Sequence, residues 1–293
     1  MEIVPFLGRE RNARIVSGDA EMIVTLDVGP RILFFGPAEG ANLLYTIPED
    51  EGRQGGDDYR FYGGHRLWIA PEEKARTMQP DNASVDYRVE AATHVFKTVP
   101  DLNHISKEIR ITTMGDERFR VEHWVKNHGP YPVELAAWGP TQMLPGTVFF
   151  PQSPFAPHTE KLLPTRPLVM WAYTRLGDPR WTWGNEVVRL QHDPMRGPQK
   201  IGVFIEQGYA AYEGQGCVFM KRWHSPDGNY ADYGCNFETF TNEVMIEIET
   251  LGPMVTLGTD SSTNHVEEWR LFPDESLPRE DGACAQKLAL LAA

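Results

Sequence analysis

The chain has only three cysteines, Cys217, Cys235 and Cys284, in 293 residues. An odd number without a CxxC pair argues against a disulfide framework, and they read as reduced, buried structural residues. Long apolar runs are missing too. None approaches the roughly 18 residues that a membrane-spanning helix needs, so no membrane partner is expected. The N-terminal MEIVPFLGRERNARIV lacks the basic region, apolar stretch and small-residue cleavage site of a secretory signal. A cytoplasmic location is the expectation. Basic charge is scarce, with Lys+Arg 28 against Asp+Glu 41 and a formal net charge of -13. The basic residues are dispersed, which speaks against a nucleic-acid or anionic-membrane partner. No Walker loop or GxGxxG turn is present, and the nine histidines form no HExxH or HxH pair. No cofactor and no metal are therefore expected. A neutral or cationic small ligand fits the charge balance better than a polyphosphate.

Sustained helical periodicity is lacking until the C-terminal AQKLALLAA, which reads as a short terminal helix. In EKARTMQPDNAS the Pro and Asn break any helix. What is there instead is period-two alternation with turn punctuation: EMIVTLDVG (21–29), ASVDYRVEAAT (83–93), HISKEIRITTM (104–114), RFRVEHWVKN (118–127) and NEVMIEIETLG (242–252). These read as strands and make the fold class all-β. No Gly/Ser linker or low-complexity stretch marks a boundary, so residues 1–293 read as one domain. The Pro- and Trp-rich segment 149–196 reads as a long excursion over one face of the sheets, of the kind that is often functional.

Three clusters carry candidate chemistry. In Tyr62-Gly63-Gly64-His65-Arg66-Leu67-Trp68-Ile69-Ala70-Pro71-Glu72, two glycines allow a tight turn ahead of His65, Arg66, Trp68 and Glu72. The same stretch also reads as a bulge and an edge strand closed by an Arg66–Glu72 salt bridge. The second cluster is Asn236-Phe237-Glu238 with Glu247-Ile248-Glu249-Thr250-Leu251-Gly252-Pro253. On a strand Glu247 and Glu249 share one face while Ile246 and Ile248 pack on the other. Like carboxylates side by side either acquire tuned pKa values or line a solvated face. The third is the set Trp138, Trp171, Trp181, Trp183, Trp223 and Trp269. Indoles stack on the apolar C–H faces of sugar rings, although at least half of these are expected to be structural.

The run from Glu249-Thr250 through Pro253 and Leu257-Gly258 to Glu268-Trp269-Arg270-Leu271 resembles the C-terminal part of the aldose 1-epimerase, or galactose mutarotase-like, superfamily. Leu26-Asp27-Val28-Gly29-Pro30-Arg31-Ile32-Leu33 with Asn42-Leu43-Leu44 resembles its opening strands, and Gly63-Gly64-His65 falls where its sugar-phosphate branch has a Gly-Gly turn. An uncharacterised branch with GGHRLW and EIETLGP segments is the nearest pattern. The resemblance implies a supersandwich of two large twisted antiparallel sheets with a ligand cleft on the concave surface. It also implies general acid/base opening and reclosing of a sugar ring, with Glu249 as the base.

The family's acid is a histidine on a mid-chain strand. In the matching region, Lys126 to Gln142, Trp138 stands in that place and His128 lies in the preceding turn. His65 is the expected substitute acid, with His224 second. Arg66, Trp68, Glu72, Trp138, Gln142, Asn236, Glu238 and Glu247 are the expected ligand-binding residues. The leading expectation is an isomerase acting on a small-molecule carbohydrate. The alternatives are a carbohydrate-binding protein that kept the cleft and lost the acid, or a polysaccharide lyase or hydrolase.

Overall fold

The computed structural model describes residues 2–293. Two large sheets of 12 and 10 strands pack face to face, which gives the expected all-β sandwich. The 12-stranded sheet carries His65–Arg66, Val133–Met143, Ile246–Leu251, Phe237–Thr241 and Gln199–Val203 side by side at its centre. Trp68–Ala70 pairs with the lower half of Val133–Met143. The 10-stranded sheet is built around Arg118–Asn127, Ser262–Pro273 and Cys217–Trp223. The pairings throughout these centres are antiparallel.

Apolar side chains from the inner faces of both sheets form the main core. Phe35 of the first sheet meets Phe219, Trp269 and Phe119 of the second edge-on, with ring centroids 4.9, 5.1 and 6.1 Å apart. Rings in this geometry add about 0.5–1.5 kcal/mol per pair beyond the area they bury.

The segment 149–196 does more than cross one face. Its strands Trp181–Trp183 and Val187–Gln191 extend the 10-stranded sheet beside Thr147–Pro151, and Leu168–Met170 ends the 12-stranded sheet next to Gln199–Val203. All but the last residue of the C-terminal AQKLALLAA lies within the helix Asp281–Ala292, capped by the Glu280 side chain, which accepts from the N–H groups of Gly282 and Ala283. Between Glu73 and Met78, where Pro and Asn exclude a long helix, a single turn forms over Lys74–Thr77.

The Gly-Gly turn aims the chain into the sheet. Gly63 and Gly64 have φ of +87° and +71°. A Cβ on Gly64 would lie 2.1 Å from the Ile32 carbonyl oxygen, so only glycine lets the turn approach the neighbouring strand. The Gly64 N–H donates to the Tyr45 carbonyl at 2.7 Å, and its carbonyl accepts from Gln142 N–H at 3.0 Å. Gly64→Ala is therefore expected to lower the unfolding free energy by at least about 1–3 kcal/mol, measured by urea denaturation. An unchanged midpoint would mean that the turn relaxes without strain.

Candidate functional site

Successive residues of a strand point to opposite faces of its sheet. At the centre of the 12-stranded sheet this alternation sorts polar side chains into two layers. On Val133–Met143, Trp138 and Gln142 face outward and Thr141 faces the second sheet. On Ile246–Leu251, Glu247 and Glu249 face outward while Thr250 points inward. On His65–Arg66 the two neighbours part company in the same way.

The outward layer forms the floor of a cavity of about 530 Å³, within the usual range for small-ligand pockets. Trp68, Trp138, Trp171, Tyr45, Phe61, Tyr173 and Phe240 supply its aromatic walls, and Arg66, Gln142, Lys200, Glu247 and Glu249 its polar groups, with Glu72 exposed at the rim. A larger groove of about 870 Å³ lies against the C-terminal helix, but its charged lining residues are only Arg166 and Glu186. The smaller cavity gathers the buried charges, and for that reason it is the candidate site.

Lys200 organises one side of the floor. Its Nζ lies 2.7 Å from Glu238 and 3.2 Å from Glu249, two residues placed directly opposite each other on adjacent strands. The ammonium is also 4.9 Å from the ring centre of Trp138 and 4.7 Å from that of Trp171. Burial disfavours this charge, but Glu238 and Glu249 outweigh that and hold Lys200 firmly protonated. Arg66 organises the other side. Its guanidinium lies over Trp68, 4.0 Å from the ring centre, and 3.5 Å from Glu247. Trp68 in turn meets Trp138 at 5.1 Å.

The carboxyls outnumber the cations. Burial, with Glu249 beside it, pushes Glu247 up to about 7 against the pull of Arg66. Burial likewise pushes Tyr173 up to about 12 and raises Glu72. Several polar atoms in the floor have no hydrogen-bond partner among the described residues: Trp138 Nε1, Gln142 Oε1, Glu247 Oε1, and Arg66 Nε and Nη1. Buried donors and acceptors are seldom left unpaired in native proteins. These converge on one cavity, as expected of groups that receive a polar ligand.

Three expected site residues are elsewhere. His65 is fully buried in the inward layer and does not line the cavity with Glu249, which removes it as the acid. Its Nδ1 lies 2.8 Å from Thr141 Oγ1, and its Nε2 lies 2.7 Å from His123 Nε2. The His265 carbonyl can only accept, so a neutral His123 carries its proton on Nδ1, and the Thr141 hydroxyl, which also accepts from Lys221 at 2.6 Å, donates to Nδ1 of a neutral His65. His65 Nε2–H then donates to His123, whose Nδ1–H donates to the His265 carbonyl at 3.2 Å. Burial holds His65 well below the ordinary histidine value and lowers His123 too, which favours the neutral form that this chain requires.

His65, His123 and Glu267 stand close enough together to suggest a metal site. All three are already engaged in the inward network, where Glu267 also accepts from Lys221, Thr250 and Trp269 Nε1. Asn236 is likewise consumed: its amide donates to the Ile205 carbonyl and Ser225 Oγ, and its oxygen accepts from Ile205 N–H. Glu238 lies beneath the cavity as a partner of Lys200 and is not in its lining. His224 is exposed and also outside the cavity. Arg66 pairs with Glu247, so the alternative Arg66–Glu72 bridge does not form.

Lys200, Tyr45, Phe61, Tyr173 and Phe240 were not anticipated as site residues. For Lys200 a signal existed: in Gln199-Lys200-Ile201-Gly202-Val203 a single charge interrupts an apolar alternating strand, which calls for a buried partner.

No protein-family model matches the chain, and no curated protein matches its sequence. Solved structures do match its fold, and they define its class: the galactose mutarotase-like β-sandwich. A galactose mutarotase-like protein from Lactobacillus casei superposes with a TM-score of 0.58 at 10% identity, covering 89% of this chain and 100% of that one. One from Clostridium acetobutylicum gives 0.55 at 9% identity, covering 93% and 98%. A galactose mutarotase related enzyme from Lactobacillus acidophilus gives 0.54 at 10% identity, covering 90% and 98%. At these identities the likeness establishes the fold.

Lys200→Met tests the floor. It leaves Glu238 and Glu249 buried without their cation, and breaking such a pair costs about 3–5 kcal/mol. Burial already raises Glu238 to about 8 against the pull of Lys200, and without Lys200 it titrates at still higher pH in the folded variant. The loss of stability is thus expected to shrink as pH falls and Glu238 takes up its proton. Denaturant unfolding of both proteins across pH measures this, and a pH-independent loss would show that packing, not charge, is what Lys200 supplies.

Proposed function

We propose that the chain binds a carbohydrate in the 530 Å³ cavity and opens and recloses its ring at the anomeric centre, as a mutarotase- or epimerase-like isomerase. The observation that carries this reading is Glu249, a 1% exposed carboxylate in an aromatic-walled cavity, held by Lys200. The fold shared with mutarotase-like structures agrees with it.

Trp68 and Trp138 offer indole surface to the C–H face of a sugar ring, while Arg66, Glu72, Gln142 and Glu247 address its hydroxyls. Glu249 takes the proton from the anomeric hydroxyl; the ring C–O bond breaks as the ring oxygen is protonated, and rotation before reclosure exchanges the anomers. The three free, buried thiols fit a reducing, cytoplasmic compartment.

The test begins with a thermal-shift screen over monosaccharides, aminosugars, uronic acids and sugar phosphates, since a bound ligand raises the melting temperature by mass action. Anomer exchange of the best ligand is then followed by NMR. Glu249→Gln is expected to keep the thermal shift and to lower the exchange rate by about 10²- to 10⁴-fold. Exchange at the unaltered rate would remove Glu249 from the mechanism. Tight binding without exchange in the parent protein would leave a carbohydrate-binding protein with no catalysis.

A further inference from the structure

Ring opening needs an acid as well as a base, and the inward-facing His65 cannot supply it. We propose that Glu247 is that acid, so that one strand presents both catalytic carboxyls, Glu249 as base and Glu247 as proton donor to the ring oxygen. The assignment rests on the ring-opening reading above.

The geometry carries it. Glu247 and Glu249 stand two residues apart on the same face of Ile246–Leu251, roughly 6.6 Å between Cα atoms at an extended rise. The two oxygens of a hemiacetal share one carbon. Carboxyls so spaced can flank both, each at a hydrogen-bond distance of about 2.6–3.2 Å. Glu249 is drawn to one side by Lys200 at 3.2 Å, whereas Glu247, which lines the same cavity, has the looser 3.5 Å contact of its Oε1 with Arg66.

The other candidates fall away. Lys200 sits between two carboxylates that keep its proton, Tyr173 holds its proton to about 12, and Glu72 lies at the exposed rim.

The charges around Glu247 agree with a carboxyl that keeps a proton near neutrality. Glu249 on its own strand favours the neutral form; Glu238 on the next strand stands opposite Glu249, and Glu72 lies at the rim. Arg66 at 3.5 Å, Lys200, and the Gln142 side chain opposite it on the adjoining strand favour the charged form. Burial decides the balance and raises Glu247 to about 7.

The cycle is balanced. Glu249 takes the anomeric hydroxyl proton while that oxygen forms a carbonyl with C1. The C1–ring-oxygen bond breaks and its electron pair takes the proton of Glu247. Reclosure on the other carbonyl face returns each proton to its origin. No oxidant or further reactant is needed.

Two measurements test the assignment. The first needs no ligand: infrared difference spectra across neutral pH are expected to show carboxylic acid bands that disappear as pH rises, one from Glu238, which burial raises to about 8, and one that is retained in Glu238→Gln and missing from Glu247→Gln. The same band at full strength in Glu247→Gln overturns the assignment.

The second is anomer exchange on the sugar giving the largest thermal shift. The parent rate is expected to fall as pH rises through the Glu247 titration, and Glu247→Gln to keep the thermal shift while losing about 10²- to 10⁴-fold in rate. Parent-like exchange in Glu247→Gln, with Glu249→Gln inactive, overturns Glu247 and leaves ring opening standing. If the parent exchanges no sugar, ring opening itself fails, and Glu247 as acid fails with it.

Discussion

An ammonium taken out of water alone would lose its proton or unfold its surroundings, and the cavity floor of this protein depends on how that is avoided at Lys200. Glu238 and Glu249 come from adjacent antiparallel strands and lie directly opposite each other. Unbridged, two buried carboxylates in that register would repel. Lys200 on the third strand joins them, so three strands are fastened through their side chains as well as by their backbones. The arrangement also keeps the Glu249 carboxylate in a fixed place, beneath the indoles of Trp138 and Trp171 that stand over the same ammonium.

On the opposite face of the same sheet a second set of polar side chains is buried under different rules. There donors and acceptors run in a connected chain: Lys221 serves Thr141 and Glu267, the Thr141 hydroxyl serves His65, and His65 serves His123. The outward layer instead leaves Trp138 Nε1, Gln142 Oε1 and Arg66 Nε without partners. A closed network rigidifies, and an open one receives. Satisfaction of hydrogen bonds, more than burial, separates the structural layer from the candidate site.

The all-β class was legible because period-two alternation spans most of the chain, and the C-terminal helix because its residues alone follow a helical pattern. The shared face of Glu247 and Glu249 was legible for the same reason. His65 shows that alternation overrides proximity along the chain: next to Arg66 on a strand, it faces the other way. Asn236 and Glu238 looked like ligand groups because sequence does not show what a side chain already holds, in one case the backbone of Ile205 and in the other Lys200. Lys200 lies 38 residues before Glu238 and 49 before Glu249 in the chain, and only the strand order brings the three together.

The alternation that sorts these layers also guards against misassembly. In a β-sheet, sliding a strand by one residue exchanges its two faces. Were Ile246–Leu251 to slip by one against Val133–Met143, Glu247 and Glu249 would be thrust between the sheets, among aliphatic side chains and beside the already ionised pair of Lys221 and Glu267. Ile246 and Ile248 would meanwhile be stranded among the charges of the cavity. Each uncompensated ion would cost several kcal/mol, so the misaligned sheet is far less stable than the aligned one. The acidic residues offered to a ligand thereby serve as alignment marks while the chain folds.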